Sequence, residues 1–106
     1  MHLTITRFEV SLPIGRDQLA ELFEQSLPRY RAVPGLLSKH YYFEPGSRFA
    51  GGIYLWASEA AANAFLTPEF AKAIEARFGG APSVTKLDCP LTLDNLHGDH
   101  RLAHRG

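Results

Sequence analysis

The sequence predicts an α+β domain in the order β-α-β-β-α-β, the split βαβ arrangement, with an antiparallel sheet carrying its helices on one face. Three observations carry this expectation. His2 to Val10 alternates with a period of two. Residues 16–27 and 58–78 repeat apolar side chains at helical spacing. Between them, Pro34 to Trp56 reads PGLLSKHYYFEPGSRFAGGIYLW, two strands around a tight turn.

The elements follow in order. In the first strand Leu3 and Ile5 fall on one face, and Thr4, Thr6, Phe8 and Val10 on the other. Pro13 and Gly15 end it. Asp17 suits a positive helix N-terminus, and Leu19, Leu22, Phe23 and Leu27 form the apolar stripe of a helix over 16–27, which Tyr30 continues. Pro28 predicts a kink there, or a break followed by a short turn to Ala32. Leu36 to Phe43 is the second strand. Glu44-Pro45-Gly46-Ser47 is turn chemistry, and Phe49 to Trp56 is the third strand. Gly51-Gly52 inside it predicts a bulge or a close approach to the backbone. Ser58 caps the next helix. Thr67-Pro68-Glu69 restarts it, with Phe70, Ile74 and Phe78 on one face and Gly79-Gly80 as the stop. Ser83 to Leu93 is the fourth strand. Pro90 cannot donate to a ladder, so this strand sits at an edge or bends there.

Residues 1–95 thus form one domain of ferredoxin-like order, and 96–106 a mobile His-rich tail. Both helices lie on one sheet face, and nothing else in the chain is left to cover the other. A second copy is the expected cover.

Composition narrows the partners. The 106 residues carry 11 basic and 11 acidic side chains, so bulk charge draws the chain neither to nucleic acid nor to an anionic membrane. No apolar run approaches a membrane span, and the start lacks the pattern of a signal peptide. Cys89 is the single cysteine, which suits a reducing compartment, the cytoplasm.

The run Ala50-Gly51-Gly52-Ile53-Tyr54-Leu55-Trp56 is followed by Ser58-Glu59-Ala60-Ala61 and preceded by Val33-Pro34-Gly35-Leu36-Leu37-Ser38-Lys39; Leu91-Thr92-Leu93-Asp94-Asn95 closes the domain. These stretches resemble the dimeric α+β-barrel superfamily, and within it the mono-oxygenase group related to antibiotic-biosynthesis monooxygenases. The resemblance covers most of the chain except the tail. It implies a homodimer whose two sheets form a barrel, with a pocket between each sheet and its helices or within the barrel. It also implies oxygenation of small aromatic or polyketide-like compounds without a bound metal or flavin. Two branches can be compared by residue. The anthrone-oxidising branch has an Asn where Gly52 stands. The haem-degrading branch has a His where Leu66 stands and an Asn on the first strand, whereas Asn63 is the first asparagine here. Trp56 carries over from both branches and the polar partners from neither.

Candidate chemistry gathers on the hairpin. Tyr54 and Trp56 share one strand face and suit a substrate-binding wall, where flat rings pack an aromatic ligand; equally, they could simply fill the interior. Ile53 and Leu55 suit the helix-covered core. Lys39 and Tyr41 point one way, His40 and Tyr42 the other. A charged lysine under helices is costly, which places Lys39 and Tyr41 on the barrel side with Tyr54 and Trp56. There Lys39 would hold a phenolate or a developing oxyanion, and Lys39 and Trp56 are the catalytic candidates. A one-residue slip in register would bring His40 in as a general base instead. The bland alternative for Lys39 and His40 is a place at the surface or rim. His97, His100 and His104 share a face only if the tail is helical, and no metal site is expected there.

The sequence therefore supports a small homodimeric monooxygenase-like enzyme acting on a hydrophobic, aromatic or polyketide-like molecule without a cofactor. The rivals are a non-catalytic binding or stress-related module with the same pocket, and a purely structural dimerisation domain.

Overall fold

The computed structural model describes residues 1–96 and the backbone of 99–102. Its elements are β1 (His2–Glu9), α1 (Arg16–Gln25), α2 (Leu27–Arg31), β2 (Leu36–Phe43), β3 (Phe49–Trp56), α3 (Glu59–Phe65), α4 (Pro68–Phe78), β4 (Ser83–Asp88), β5 (Leu91–Asp94) and β6 (Asp99–Leu102). The main sheet is antiparallel in the order β2-β3-β1-β4, as the split βαβ arrangement requires.

The register fixes which side chains meet the helices. β1 pairs with β3 from His2↔Trp56 to Glu9↔Phe49 without interruption. His2, Thr4, Thr6, Phe8 and Val10 are buried, while Leu3 and Ile5 on the other face are only partly covered. Ile53 and Leu55 share that second face, and with the exposed Leu87 they make it apolar and open.

Each helix starts and stops for a local reason. α1 ends at Ser26, whose hydroxyl donates to the Phe23 carbonyl at 2.6 Å. Pro28 then falls near the start of α2, where its missing N–H is harmless. This is the expected break. Ser58 accepts from the Ala61 N–H at 3.1 Å and Thr67 from the Phe70 N–H at 3.3 Å, so α3 and α4 are both capped. α4 stops at Gly79, which adopts a left-handed φ of 99°. Behind these helices the core has two parts. Phe8, Val10, Leu19, Ala50, Phe70, Ile74 and Phe78 fill one end. Tyr30, Tyr54, Trp56 and Ala62 fill the other.

The C-terminal part departs from expectation. The predicted strand over 83–93 is two strands, broken at Cys89-Pro90 where proline has no N–H to continue the ladder. β4 is an edge of the main sheet, and β5 leaves it to pair with β6 as a separate ribbon, from Leu91↔Leu102 to Asp94↔Asp99. Part of the expected tail is thus strand. The helix that would align the three histidines is not what residues 99–102 form, and His97 and His104 lie outside the described residues.

The two glycines of β3 mark close approaches rather than a bulge; the irregularity in register falls in β2, between Leu36 and Ser38. Opposite Gly51, Tyr42 reaches across the strand and its hydroxyl donates to the Thr6 carbonyl at 2.8 Å. A Cβ on Gly51 would lie 1.8 Å from that carbonyl oxygen and 2.8 Å from the tyrosine oxygen. Gly51→Ala should therefore destabilise the fold by about 3 kcal/mol, the upper range for overpacking. Urea unfolding checks this, and an unchanged midpoint would contradict the tight contact.

Candidate functional site

Lys39 of β2 stands opposite Tyr54 of β3, and Tyr41 opposite Gly52. Because Gly52 has no side chain, the lysine stem crosses β3 there. A Cβ at Gly52 would lie 2.9 Å from Lys39 Cε and 2.9 Å from Tyr54 Cε1. The amine ends in a cage of aromatic rings: Nζ is 3.2 Å from the ring centre of Tyr30, 4.0 Å from that of Tyr41 and 4.7 Å from that of Tyr54. Among the described residues it has no hydrogen-bond or ion-pair partner.

Two effects oppose each other at this amine. Aromatic faces attract an ammonium, by up to ~2 kcal/mol when desolvated. Burial disfavours the charge, by as much as 3–5 pKa units, or about 4–7 kcal/mol. Burial wins, helped by the nearby positive charge of Arg29. The Lys39 ammonium is pushed down to about 6. At neutral pH Lys39 is thus mostly a free amine. Burial moves the Tyr30 and Tyr54 phenols the other way, above their ordinary value, so both stay protonated.

The cavity beside Lys39 is small, about 30 Å³, room for one water. Tyr30, Tyr41, Tyr54 and Phe23 wall it, and Arg29 and Arg77 stand at its exposed rim. Two grooves flank β2 outside it. One, of about 300 Å³, runs between α1 and β2 past Phe23, Leu27 and Phe43. The other, of about 180 Å³, runs along α2 past Leu27, Tyr30 and Lys39. Tyr41 lines all three spaces. Its hydroxyl lies 2.8 Å from Ser26 Oγ, at the joint between α1 and α2. Since Ser26 already donates to Phe23, the tyrosine is the donor in this bond.

The grouping of Lys39, Tyr41, Tyr54 and Trp56 on one face holds, but their expected side of the sheet is corrected. They lie under the helices, and it is Ile53 and Leu55 that face the open side. The placement assumed that a buried lysine keeps its charge; the structure resolves the cost through loss of the proton. His40 pairs with Ile53 and is exposed on the open face, so the conditional place for it in the site does not arise. Trp56 is fully buried and does not line the cavity. It stacks behind Tyr54, with centroids 5.7 Å apart and planes 9° from parallel, and its indole N–H donates to Thr4 Oγ1 at 2.9 Å. Tyr30, Arg29, Arg77 and Ser26 were not singled out from sequence as site residues. Tyr30 was visible as the last member of the first helical stripe, and Arg77 sits three residues after Ile74 on the inward side of α4.

The chain is an α+β domain with a ferredoxin-like antiparallel sheet, the fold that solved antibiotic-biosynthesis monooxygenases also have. Solved structures agree. A monooxygenase from the gene ActVA-Orf6 of Streptomyces coelicolor, solved with nanaomycin D, is 26% identical, with a TM-score of 0.60 over 81% of this chain and 84% of that one. NE2512 of Nitrosomonas europaea, of unknown function, is 23% identical, with a TM-score of 0.62 over 81% and 85%. SnoaB of Streptomyces nogalater, a cofactor-independent oxygenase, is 17% identical, with a TM-score of 0.61 over 87% and 95%. No curated protein sequence matches. The chain belongs to the family described as "Putative mono-oxygenase ydhR", whose profile matches residues 3–86.

The displaced lysine proton makes stability depend on pH. Unfolded, the lysine titrates at its ordinary value of 10.5; folded, at about 6. Between these values the unfolded chain binds more protons, so the native protein gains stability as pH rises, and the term is flat below about 6. Lys39→Met removes this term. The wild type should gain on the variant between pH 6 and 9 by at most ~1.4 kcal/mol per pH unit. Urea midpoints of both proteins against pH measure this, and parallel profiles would show that Lys39 keeps its proton.

Proposed function

We propose that the protein is a homodimeric, cofactor-independent monooxygenase acting on a hydrophobic aromatic or polyketide-like molecule, with Lys39 as its base. The observation that carries the reading is the unpaired, largely neutral Lys39 amine facing a tyrosine-walled cavity. Membership of a mono-oxygenase family supports it, as does the fold shared with a cofactor-independent oxygenase. Oxygenation without a cofactor needs a substrate that reacts with O₂ once deprotonated. Lys39 would take the proton of an enolised ring hydroxyl, and the conjugated ring carbon of the resulting oxyanion would add O₂ to form a C–O bond. The Lys39 ammonium would return its proton to the peroxide, which loses water together with the hydrogen left on that carbon and leaves a carbonyl. Tyr41 and Tyr54 would hold the substrate ring, and Trp56 would fix Tyr54 from behind. The ring needs more room than the cavity offers, and rotation of Tyr41 off Ser26 would join the cavity to the 300 Å³ groove.

Oxygen uptake with a hydroxyanthrone tests the reading. Lys39→Met should lower turnover by about 100-fold or more, the usual contribution of a general base. No oxygen consumption with any anthrone-like or phenolic compound that demonstrably binds would sink it. The small size of the cavity favours the rival, a non-catalytic binding module. That reading predicts a ligand that co-purifies unchanged in aerobic buffer.

A second copy would cover the open face formed by Leu3, Ile5, Ile53, Leu55 and Leu87, and the lone cysteine suits a reducing cytoplasm. Among the described residues no helix is long and apolar enough to cross a membrane. Sedimentation at micromolar concentration should show a dimer. Ile53→Glu should shift it to monomer, because a buried unpaired carboxylate opposes association. A monomeric wild type would overturn the dimer.

A further inference from the structure

The cavity at Lys39 has an electrostatic imbalance that the proposed oxygenation does not by itself explain. Three basic side chains line it: the amine of Lys39 from β2 and the guanidiniums of Arg29 from α2 and Arg77 from α4. Among the described residues no aspartate or glutamate lines it, and none of the three has a carboxylate partner. Arg29 rests against the Tyr30 ring at 5.7 Å; Arg77 lies 5.8 Å from the Phe78 ring centre and makes a long contact, 3.5 Å, to the Leu22 carbonyl. The two guanidiniums are exposed, whereas Lys39 is partly buried and its amine ends among the rings. The other titratable groups facing the amine are the phenols of Tyr30, Tyr41 and Tyr54. Burial keeps the Tyr30 and Tyr54 phenols protonated, so neither supplies a counter-charge.

We infer that this site selects its ligand as a ring oxyanion, an ionised phenol or enol conjugated to a flat ring system, with Arg29 and Arg77 as specificity residues at the mouth and Lys39 as the proton-bearing partner within. The inference rests on the placing of the substrate site at Lys39, but not on turnover there. Its physical basis is linkage. An anion entering the tyrosine cage favours the charged form of Lys39 by Coulomb attraction in a poorly solvated place. In the free protein that group is largely deprotonated at neutral pH. An anion arriving from solution therefore brings a proton with it. A neutral phenol that ionises on Lys39 reaches the same bound state with no net uptake. The rings of Tyr30, Tyr41 and Tyr54 favour a flat ligand over a compact inorganic anion.

The test is titration calorimetry under nitrogen in buffers of different ionisation enthalpy. The probes are 2-hydroxy-1,4-naphthoquinone, an enolate at neutral pH, and its neutral methyl ether, 2-methoxy-1,4-naphthoquinone. At about pH 7.5 the enolate should bind at least ~10-fold more tightly than the ether and take up close to one proton; well below pH 6, where free Lys39 is already charged, uptake should fall towards zero. Lys39→Met should abolish the uptake. Arg29→Gln, a change at an exposed position, should weaken the enolate about 5-fold or more and leave the ether unaffected, which keeps the test valid if the Lys39 variant does not fold. Equal affinity for both probes, no binding of either, enolate binding without proton uptake, or indifference to Arg29→Gln would each overturn the inference. Binding without oxygen consumption would leave it standing and remove only the oxygenase reading.

Discussion

The close approach of Lys39 to β3 at Gly52 is the constraint on which the site depends. The Lys39 stem passes where a side chain would otherwise stand, and Tyr54 closes the same space from the other side. Any larger residue at Gly52 would push the amine out of its cage. The amine would regain water and its proton, and the tyrosine walls would enclose nothing reactive. Gly51 does the corresponding work on the opposite face, where Tyr42 crosses the strand to reach β1. Two adjacent glycines thus admit one long side chain on each side of the sheet. Glycine normally weakens a strand; here the hydrogen bond of Tyr42 and the uninterrupted pairing of β3 with β1 offset that loss.

The packing behind the cage serves the same end. Trp56 and Thr4 satisfy each other in a fully buried pair, so neither leaves an orphaned polar group under the helices. With its N–H occupied, the indole acts as a flat backing for Tyr54. Phe65 of α3 packs on both Trp56 and Tyr30, which ties the second helical layer to the first around the lysine. The alanines of α3 let that helix lie close, and Ala62 is wholly buried against the sheet. These contacts hold the rings in place without any charge to balance the amine, so its environment stays apolar and its proton stays off.

Most of the fold was legible because it is written in two periods. The period of two in β1 and the helical stripes ending at Tyr30 and Phe78, with the turn chemistry that separates β2 from β3, fix element order, and order fixes the sheet. That Lys39 and Tyr41 share a face was legible from strand alternation, but the register that sets Lys39 rather than His40 beside Tyr54 stayed open until the pairing was seen. The side of the sheet was not legible. The rule against burying a charge pointed Lys39 outward, and only three-dimensional surroundings reveal that the charge is absent. The break at Pro90 was half legible: a proline forbids a ladder bond, but the alternation on both sides of it reads as one strand until pairing partners are known. Arg29 and Arg77 gave no periodic signal, because an exposed arginine at the end of a helix looks alike whether it faces bulk water or the mouth of a cavity.

How the proposed ring ligand would reach Lys39 follows from comparing what must be broken. Displacing α2 would uncover Tyr30, which is 8% exposed, and exposing a side chain of that size costs about 2–3 kcal/mol before any helix cap is lost. Turning Tyr41 breaks its bond to Ser26, worth about 1 kcal/mol, and its ring contacts with Phe23 and Tyr30, worth about 0.5–1.5 kcal/mol each, but moves a ring that already lines the outer groove and leaves the contacts of Tyr30 with Tyr54 and Phe65 in place. Ser26 keeps its bond to Phe23 in either case, so the joint between α1 and α2 need not yield. The smaller loss lies with Tyr41, and the ring it swings into the groove remains available to stack on whatever has entered. The same side chain that narrows the cavity to the size of a water could then form one wall of a wider one, which is how so small a cavity and the proposed ring ligand fit together.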